Sequence, residues 1–198
     1  ASLQSQLKLS TILAAFKLYD GGRGAAAFTL GERDLSLGVG FLAGELVNAG
    51  LAFVAANLIV EGLGDALKPS YSFMADGLQV FVTAACDPTV VAGMQGVAAS
   101  DPVAALKGLA DEAAAADLRV LLAHADREVC RRWLGEVTYF DVCVGGLGLE
   151  NPFEPERVGR TNFAGTGVWG KYGLALALVR APDGTWSATR RKEPLVEE

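Results

Sequence analysis

The order of apolar and polar positions splits the chain into alternating helical and extended stretches. Over residues 3–18, Leu3, Leu7, Ile12, Leu13 and Phe16 recur at helical spacing and predict a helix. GGRG at 21–24 breaks that pattern, and AAAFTL at 25–30 reads as a short buried strand. GVGFLAGELVNAG predicts a second helix, with Gly50 placed to cap its C-terminus. LAFVAANL at 51–58 predicts a strand, followed by a polar turn region around Pro69. LQVFVTAA at 78–85 is the next strand. SDPVAALKGLADEAAAA predicts one helix, with Ser100 or Asp101 as N-cap and Pro102 in the first turn, where a missing N–H costs nothing. LRVLLAH then predicts a buried strand, DREVCRRWLG a short helix capped by Gly135, and YFDVCVGG another strand. That strand runs through a glycine turn into a proline-bounded loop, DVCVGGLGLENPFEP at 141–155. The chain ends differently. KYGLALALVRAPDGTWSATRR predicts two strands joined at Pro182-Asp183-Gly184, a hairpin turn composition. Alternating strands and helices before an all-β end predict an α/β sheet core closed by an antiparallel hairpin. Neither a repeat nor a linker interrupts the pattern, so residues 1–198 are expected to form a single domain.

Composition narrows the function classes. At 198 residues, with 51% apolar and 20% charged, the chain can bury a real core and does not read as disordered. Its net charge of -6 argues against nucleic acid, which needs clustered Lys and Arg. The basic groups at Arg131-Arg132 and Arg190-Arg191-Lys192 have acidic neighbours and read as solvated faces. No apolar run approaches the roughly 20 residues that span a bilayer, so no membrane span is expected. No signal peptide is evident, and a start at Ala1 fits a processed or trimmed chain. Cys86, Cys130 and Cys143 lack CxxC spacing. A Cys130–Cys143 disulfide stays open for an oxidising compartment, with three buried thiols the preferred expectation.

Three places invite a chemical reading. Gly38, Gly40 and Gly44 nearly match a dinucleotide fingerprint, but GERDLSL separates them from the preceding strand. GGLG at 145–148 follows a strand, yet ENPFEPE cannot start the required helix. Turns and close packing are the expected roles of both glycine groups. His124, the only histidine, ends a strand ahead of Asp126 and Arg127. One histidine cannot assemble a conventional His-based metal site.

Taken in order, these pieces resemble the 5′-nucleotidase branch of the calcineurin-like metallophosphoesterases. In that family a strand ends in Gly-Asn-His-Glu, whose Asn and His serve a dimetal centre, and the next helix and strand lead to an ANL sequence. TLGERDLSLGVGFLAGELVNAGLAFVAANL follows that layout, with Glu32 and Arg33 where the family has Asn and His. LRVLLAHADREVCRRWL resembles the strand that ends in a metal-binding histidine, with His124 in place. The family then has D-x-x-x-G-G-H-x-H, whereas DVCVGGLGLE places Leu147 and Leu149 at the histidine positions. GVWGKYGLALALV is similar to the family's closing hairpin. The resemblance covers most of the chain. It implies a metallophosphoesterase-like layered α/β/β/α sandwich, N-terminally incomplete, because the family's opening DxH and GD strands have no counterpart here.

What the resemblance implies about function turns on the substitutions. Two metal ions would clamp phosphate and activate water in the family's chemistry. Glu32, Arg33, His124, Leu147 and Leu149 are here degenerate positions of that site, so neither a metal nor another cofactor is expected. Arg33 brings a donor with no lone pair and a positive charge. The leading expectation is a catalytically inactive domain acting as a structural or interaction subunit of an assembly of protein chains, outside the cytoplasm. Family analogy alone adds a c-type cytochrome as one candidate partner. The alternatives are a phosphoesterase fragment completed by another segment, or a metal-independent phosphate binder using Arg33 or Arg127.

Overall fold

The computed structural model describes residues 2–20, 27–145, 147, 153–165 and 172–194. Helix α1 (Leu3–Asp20) precedes β1 (Ala27–Phe28), the one-turn α2 (Glu32–Leu35) and α3 (Val39–Ala49), which Gly50 ends in a left-handed conformation at φ 62°. Strands β2 (Ala52–Val54), β3 (Leu58–Val60) and β4 (Leu67–Lys68) are short. Next come β5 (Ser70–Ala75), β6 (Leu78–Cys86), β7 (Val97–Ala99), α4 (Pro102–Lys107) and α5 (Ala110–Ala114). β8 (Leu118–His124), α6 (Arg127–Glu136) and β9 (Val142–Gly145) follow, then β10 (Phe153–Val158) and β11 (Thr161–Gly165). β12 (Tyr172–Arg180) and β13 (Trp186–Pro194) form the expected closing hairpin.

These elements make an α/β/β/α sandwich. The larger sheet has the order β10-β11-β9-β8-β6-β5, with β6, β8, β9 and β11 parallel and antiparallel strands at both edges. A smaller parallel sheet has the order β1-β2-β4. Along β6 the side chains alternate between two cores. Phe81 and Ala85 pack with Leu106, Ala113, Trp133 and Leu134 of the helices α4–α6. Val80, Val82 and Ala84 pack with Val54 of the small sheet and Trp186 of the hairpin. Burial on both faces explains why β6 reads as a continuous apolar run. On the far side Leu13, Leu42 and Leu46 of α1 and α3 cover the small sheet. The hairpin is anchored by Trp186, whose indole donates to the Asp117 carbonyl at 3.1 Å, while Asn162 donates to the Trp186 carbonyl at 2.8 Å.

The structure corrects several sequence expectations. The strand predicted over 51–58 is interrupted at 55–57, because the Asn57 side chain turns inward to bond other strands; β2 and β3 join different sheets. The polar region around Pro69 holds β4 and β5, and β5 turns into β6 through Asp76 and Gly77, both with positive φ. The helix expected from 100 to 116 is two short helices separated at Gly108, with Asp101 capping the first through the Ala104 N–H. Gly135 lies inside α6, and Val137 is its C-cap. The proline-bounded loop contains β10, an edge strand where Pro155 removes no interior hydrogen bond. Of the strand expected at 25–30, residues 25 and 26 lie outside the described residues, Ala27–Phe28 is strand, and Thr29 and Leu30 have already left it.

α6 is tied to β10 by ionic bonds. Arg131 and Arg127 both reach Glu156, at 2.7 and 2.6 Å. Bonding from Arg131, opposed by partial burial and reinforced by Arg127, lowers the Glu156 carboxyl from the ordinary 4.5 to about 2. A carboxyl depressed in the folded state contributes stability that is full above its unfolded value and fades as pH falls through the folded one. Glu156→Gln is therefore expected to lower the melting temperature at neutral pH and to close the gap to the parent protein between pH 4.5 and 2. Thermal unfolding of both proteins across that range measures it; a gap that does not change with pH overturns it.

Candidate functional site

Parallel strands place their C-terminal ends at one edge, where α/β proteins build sites. Cys86 of β6 pairs in register with His124 of β8, and Ala123 with Gly145 of β9. From the facing small sheet, the chain leaves β1 and enters α2 through Gly31. This brings Glu32 to His124, with the imidazole Nε2 and the carboxylate Oε2 2.5 Å apart. Gly31 permits the approach. A Cβ there would stand 2.7 Å from His124 Cε1, nearer than real Cβ atoms come to anything. Asp34 completes the turn by accepting the Gly31 N–H at 2.9 Å.

The two sheets meet at the same edge. Asn57, 2% exposed, donates to the carbonyls of Cys86 and Ser100 at 2.8 and 3.0 Å and accepts the Cys86 N–H at 2.9 Å. The Ala56 N–H reaches the Ala84 carbonyl at 2.7 Å, and the Asp87 N–H reaches that of His124 at 3.0 Å. The floor of the site is thus backbone held by one amide side chain.

Electrostatics follow from this packing. Burial acts to raise the Glu32 carboxyl, but the His124 bond and Arg33 outweigh it and hold it below the ordinary carboxylate range. Burial raises Asp34 above its ordinary value against the Gly31 bond. Burial, with Asp87 and Glu32 nearby, pushes the Cys86 thiol up to about 12, which makes it an inert thiol.

The structure joins Glu32 and His124 and separates the other candidates from them by degree. Arg33 is 83% exposed, with its Nε 3.8 Å from Glu32 Oε1. Leu147 is half-buried just beyond the end of β9. Leu149 lies outside the described residues. Arg127 is engaged with Glu156 of β10. The described residues do not fit a two-metal centre. The imidazole Nε2 is engaged with Glu32, Arg33 adds positive charge beside that carboxylate, and Leu147 offers no donor. Among the described residues, no three His, Cys, Asp or Glu side chains converge as a metal-ligand group.

Among the described residues, neither glycine group shows a nucleotide cradle; Gly146 and Gly148 lie outside them. Gly38 precedes α3 at φ 97°, and a Cβ on Gly145 would meet Phe163 at 2.8 Å, so Gly145 is required by close packing. The three cysteines are unlinked and buried. Asp34 and Asn57 both fall inside the GERD and ANL stretches, but sequence reasoning gave neither a role. The Gly31-to-Asp34 spacing was a readable turn signal, whereas nothing local tells which groups a buried Asn57 bonds. Gly31→Ala is expected to push His124 off Glu32 and cost about 1–3 kcal/mol, as overpacking does. Denaturant unfolding measures the loss; unchanged stability together with an unchanged His124 proton resonance overturns it.

No protein-family model and no curated protein sequence matches the chain. Solved structures do. A 5′-nucleotidase precursor of Thermus thermophilus superposes with a TM-score of 0.69 at 18% identity over 91% of this chain. The NAD nucleotidase of Haemophilus influenzae gives 0.67 at 21% over 88%, and the calcineurin-like phosphoesterase YfkN of Bacillus subtilis 0.66 at 20% over 85%. The chain spans 41, 42 and 63% of those three proteins, less than two thirds of each. Among the described residues, no helix is long and apolar enough to cross a membrane. With its stacked sheets, closing hairpin and strand-end edge, the chain has the metallophosphoesterase fold of the 5′-nucleotidases and calcineurin-like phosphoesterases.

Proposed function

We propose that this is a catalytically inactive metallophosphoesterase-like domain that serves as a structural or interaction subunit of an extracytoplasmic assembly. The bond between Glu32 and His124 carries this reading. By the resemblance, both stand where the family holds metal, and here each satisfies the other. Arg33 and the half-buried Leu147 remove two further donors at the same edge. What remains is a closed polar pair with an apolar and cationic rim. Among the described residues, no metal-ligand group stands there to activate water.

Two observations support a role in an assembly. Strand β1 is the edge of its sheet among the described residues, and unpaired edges invite pairing with another chain. Leu3, Leu7, Ile12 and Phe16 of α1 and Val47 of α3 are exposed large apolar residues on the layer that covers that sheet. The contacts proposed are residues 25–30 and the loop at 147–149, of which 25, 26, 148 and 149 lie outside the described residues. Placement outside the cytoplasm rests on the nucleotidase resemblance.

Purified without chelator, the protein is expected to carry no stoichiometric manganese, zinc or iron. It should hydrolyse neither nucleoside monophosphates nor p-nitrophenyl phosphate when manganese is added. A bound metal equivalent, or a rate that His124→Ala abolishes, overturns the inactive reading.

The particle isolated from its own cells is expected to exceed the 20.6 kDa chain in native mass and to contain further chains. Mass measurement with identification of every co-purifying protein decides this. A particle of one chain overturns the assembly.

A further inference from the structure

Two of the three thiols share one core. Cys130 lies on the inner side of α6 and Cys143 on β9, 1% and 0% exposed, in the core beneath the helix layer. Burial raises the Cys143 thiol well above its ordinary value, and the neighbouring Cys130 thiol adds to the shift. The Cys130 thiol itself donates to the Ala125 carbonyl at 3.6 Å. A Cβ built on Gly145, two residues along β9 and on the same strand face as Cys143, would stand 3.8 Å from Cys130 Sγ. The Cys130 sulfur therefore rests on the stretch of β9 that carries Cys143. Cys86 belongs to a different apolar cluster, where its thiol points to the Asp87 carbonyl at 3.5 Å.

We propose that Cys130 and Cys143 are a disulfide-forming pair, closed by a disulfide oxidant while the chain folds and shielded once it has folded. One chain thiolate attacks the oxidant's S–S bond, forms a mixed disulfide and releases one oxidant thiol. The second chain thiolate attacks the chain sulfur of that mixed disulfide and releases the other oxidant thiol. The chain loses two protons and two electrons, and the oxidant's disulfide gains them as two thiols. Timing follows from burial. The thiolate is the reactive form, and an apolar core suppresses it, so exchange belongs to the interval before α6 seals against β9. The product staples α6 to the strand that leads to Leu147. The same helix carries Arg127 and Arg131, which hold β10 through Glu156. Oxidation thus rigidifies one side of the strand-end edge independently of whether an assembly forms.

The test counts thiols. Full-length chain is unfolded and reduced, then refolded in a mixture of reduced and oxidised glutathione. It is unfolded again in N-ethylmaleimide and analysed by mass and peptide mapping. One maleimide, on Cys86, and a Cys130–Cys143 linked peptide are expected. Three maleimides, a glutathione adduct on either cysteine, or a link through Cys86 overturns the proposal. If refolding fails, the same count is made on chain exported to the periplasm of a bacterial host. Cys86→Ala should keep the link and Cys143→Ala should abolish it. The linked form should melt several degrees above the reduced form; equal melting overturns the claim that the native geometry accommodates the bond.

Discussion

Asn57 joins the two sheets, and most of the fold depends on that junction. A buried amide can be satisfied only by partners arranged around it, and here they are the Cys86 N–H, the Cys86 carbonyl and the Ser100 carbonyl. β2 leaves the small sheet just before Asn57, and β6 of the large sheet ends at Cys86. The amide therefore sets how far one sheet's edge projects beyond the other. An apolar residue of similar size would leave backbone groups of Cys86 buried without partners, each at about 1–3 kcal/mol. Fixing this edge also places His124, which pairs with Cys86 in register.

The site follows from that placement together with one missing side chain. Gly31 lets α2 start against the imidazole ring, so Glu32 reaches Nε2 directly. The carboxylate and the imidazole satisfy each other there. The pair is partly exposed, with His124 17% and Glu32 32% accessible. Solvent therefore moderates its strength, and its main effect is positional: it holds α2 against β8.

Much of the architecture was legible from the chain. Strands buried on both faces, such as β6 and β8, appear as unbroken apolar runs, and Gly50 and the turn at 182–184 announce their own backbone conformations. The losses were at edges. In β5 the side chains of Ser70, Tyr71, Phe73 and Ala75 are only half-buried, so its apolar alternation is weak, and only Asp76-Gly77 betrayed it. Pro155 argued against a strand and misled, because β10 occupies an edge where a proline is tolerated. His124 was readable as the end of an apolar run. Its bond to Glu32 was not, since 92 residues separate them and no local pattern encodes a long-range pair.

Those separations bear on how the chain folds. Trp186 reaches back 69 residues to Asp117, and Asn57 reaches forward to Cys86 across 29. The parallel core of β6, β8, β9 and β11 has no adjacent pair joined by a simple hairpin. Closing such loops costs entropy before the contacts repay it, so this topology belongs among slow folders. During synthesis, α2 emerges long before its imidazole partner and must wait for β8. The hairpin that covers the large sheet is made after every strand of that sheet. Until then Val80, Val82 and Val142 lie open, which makes the nascent chain a substrate for chaperones over that interval.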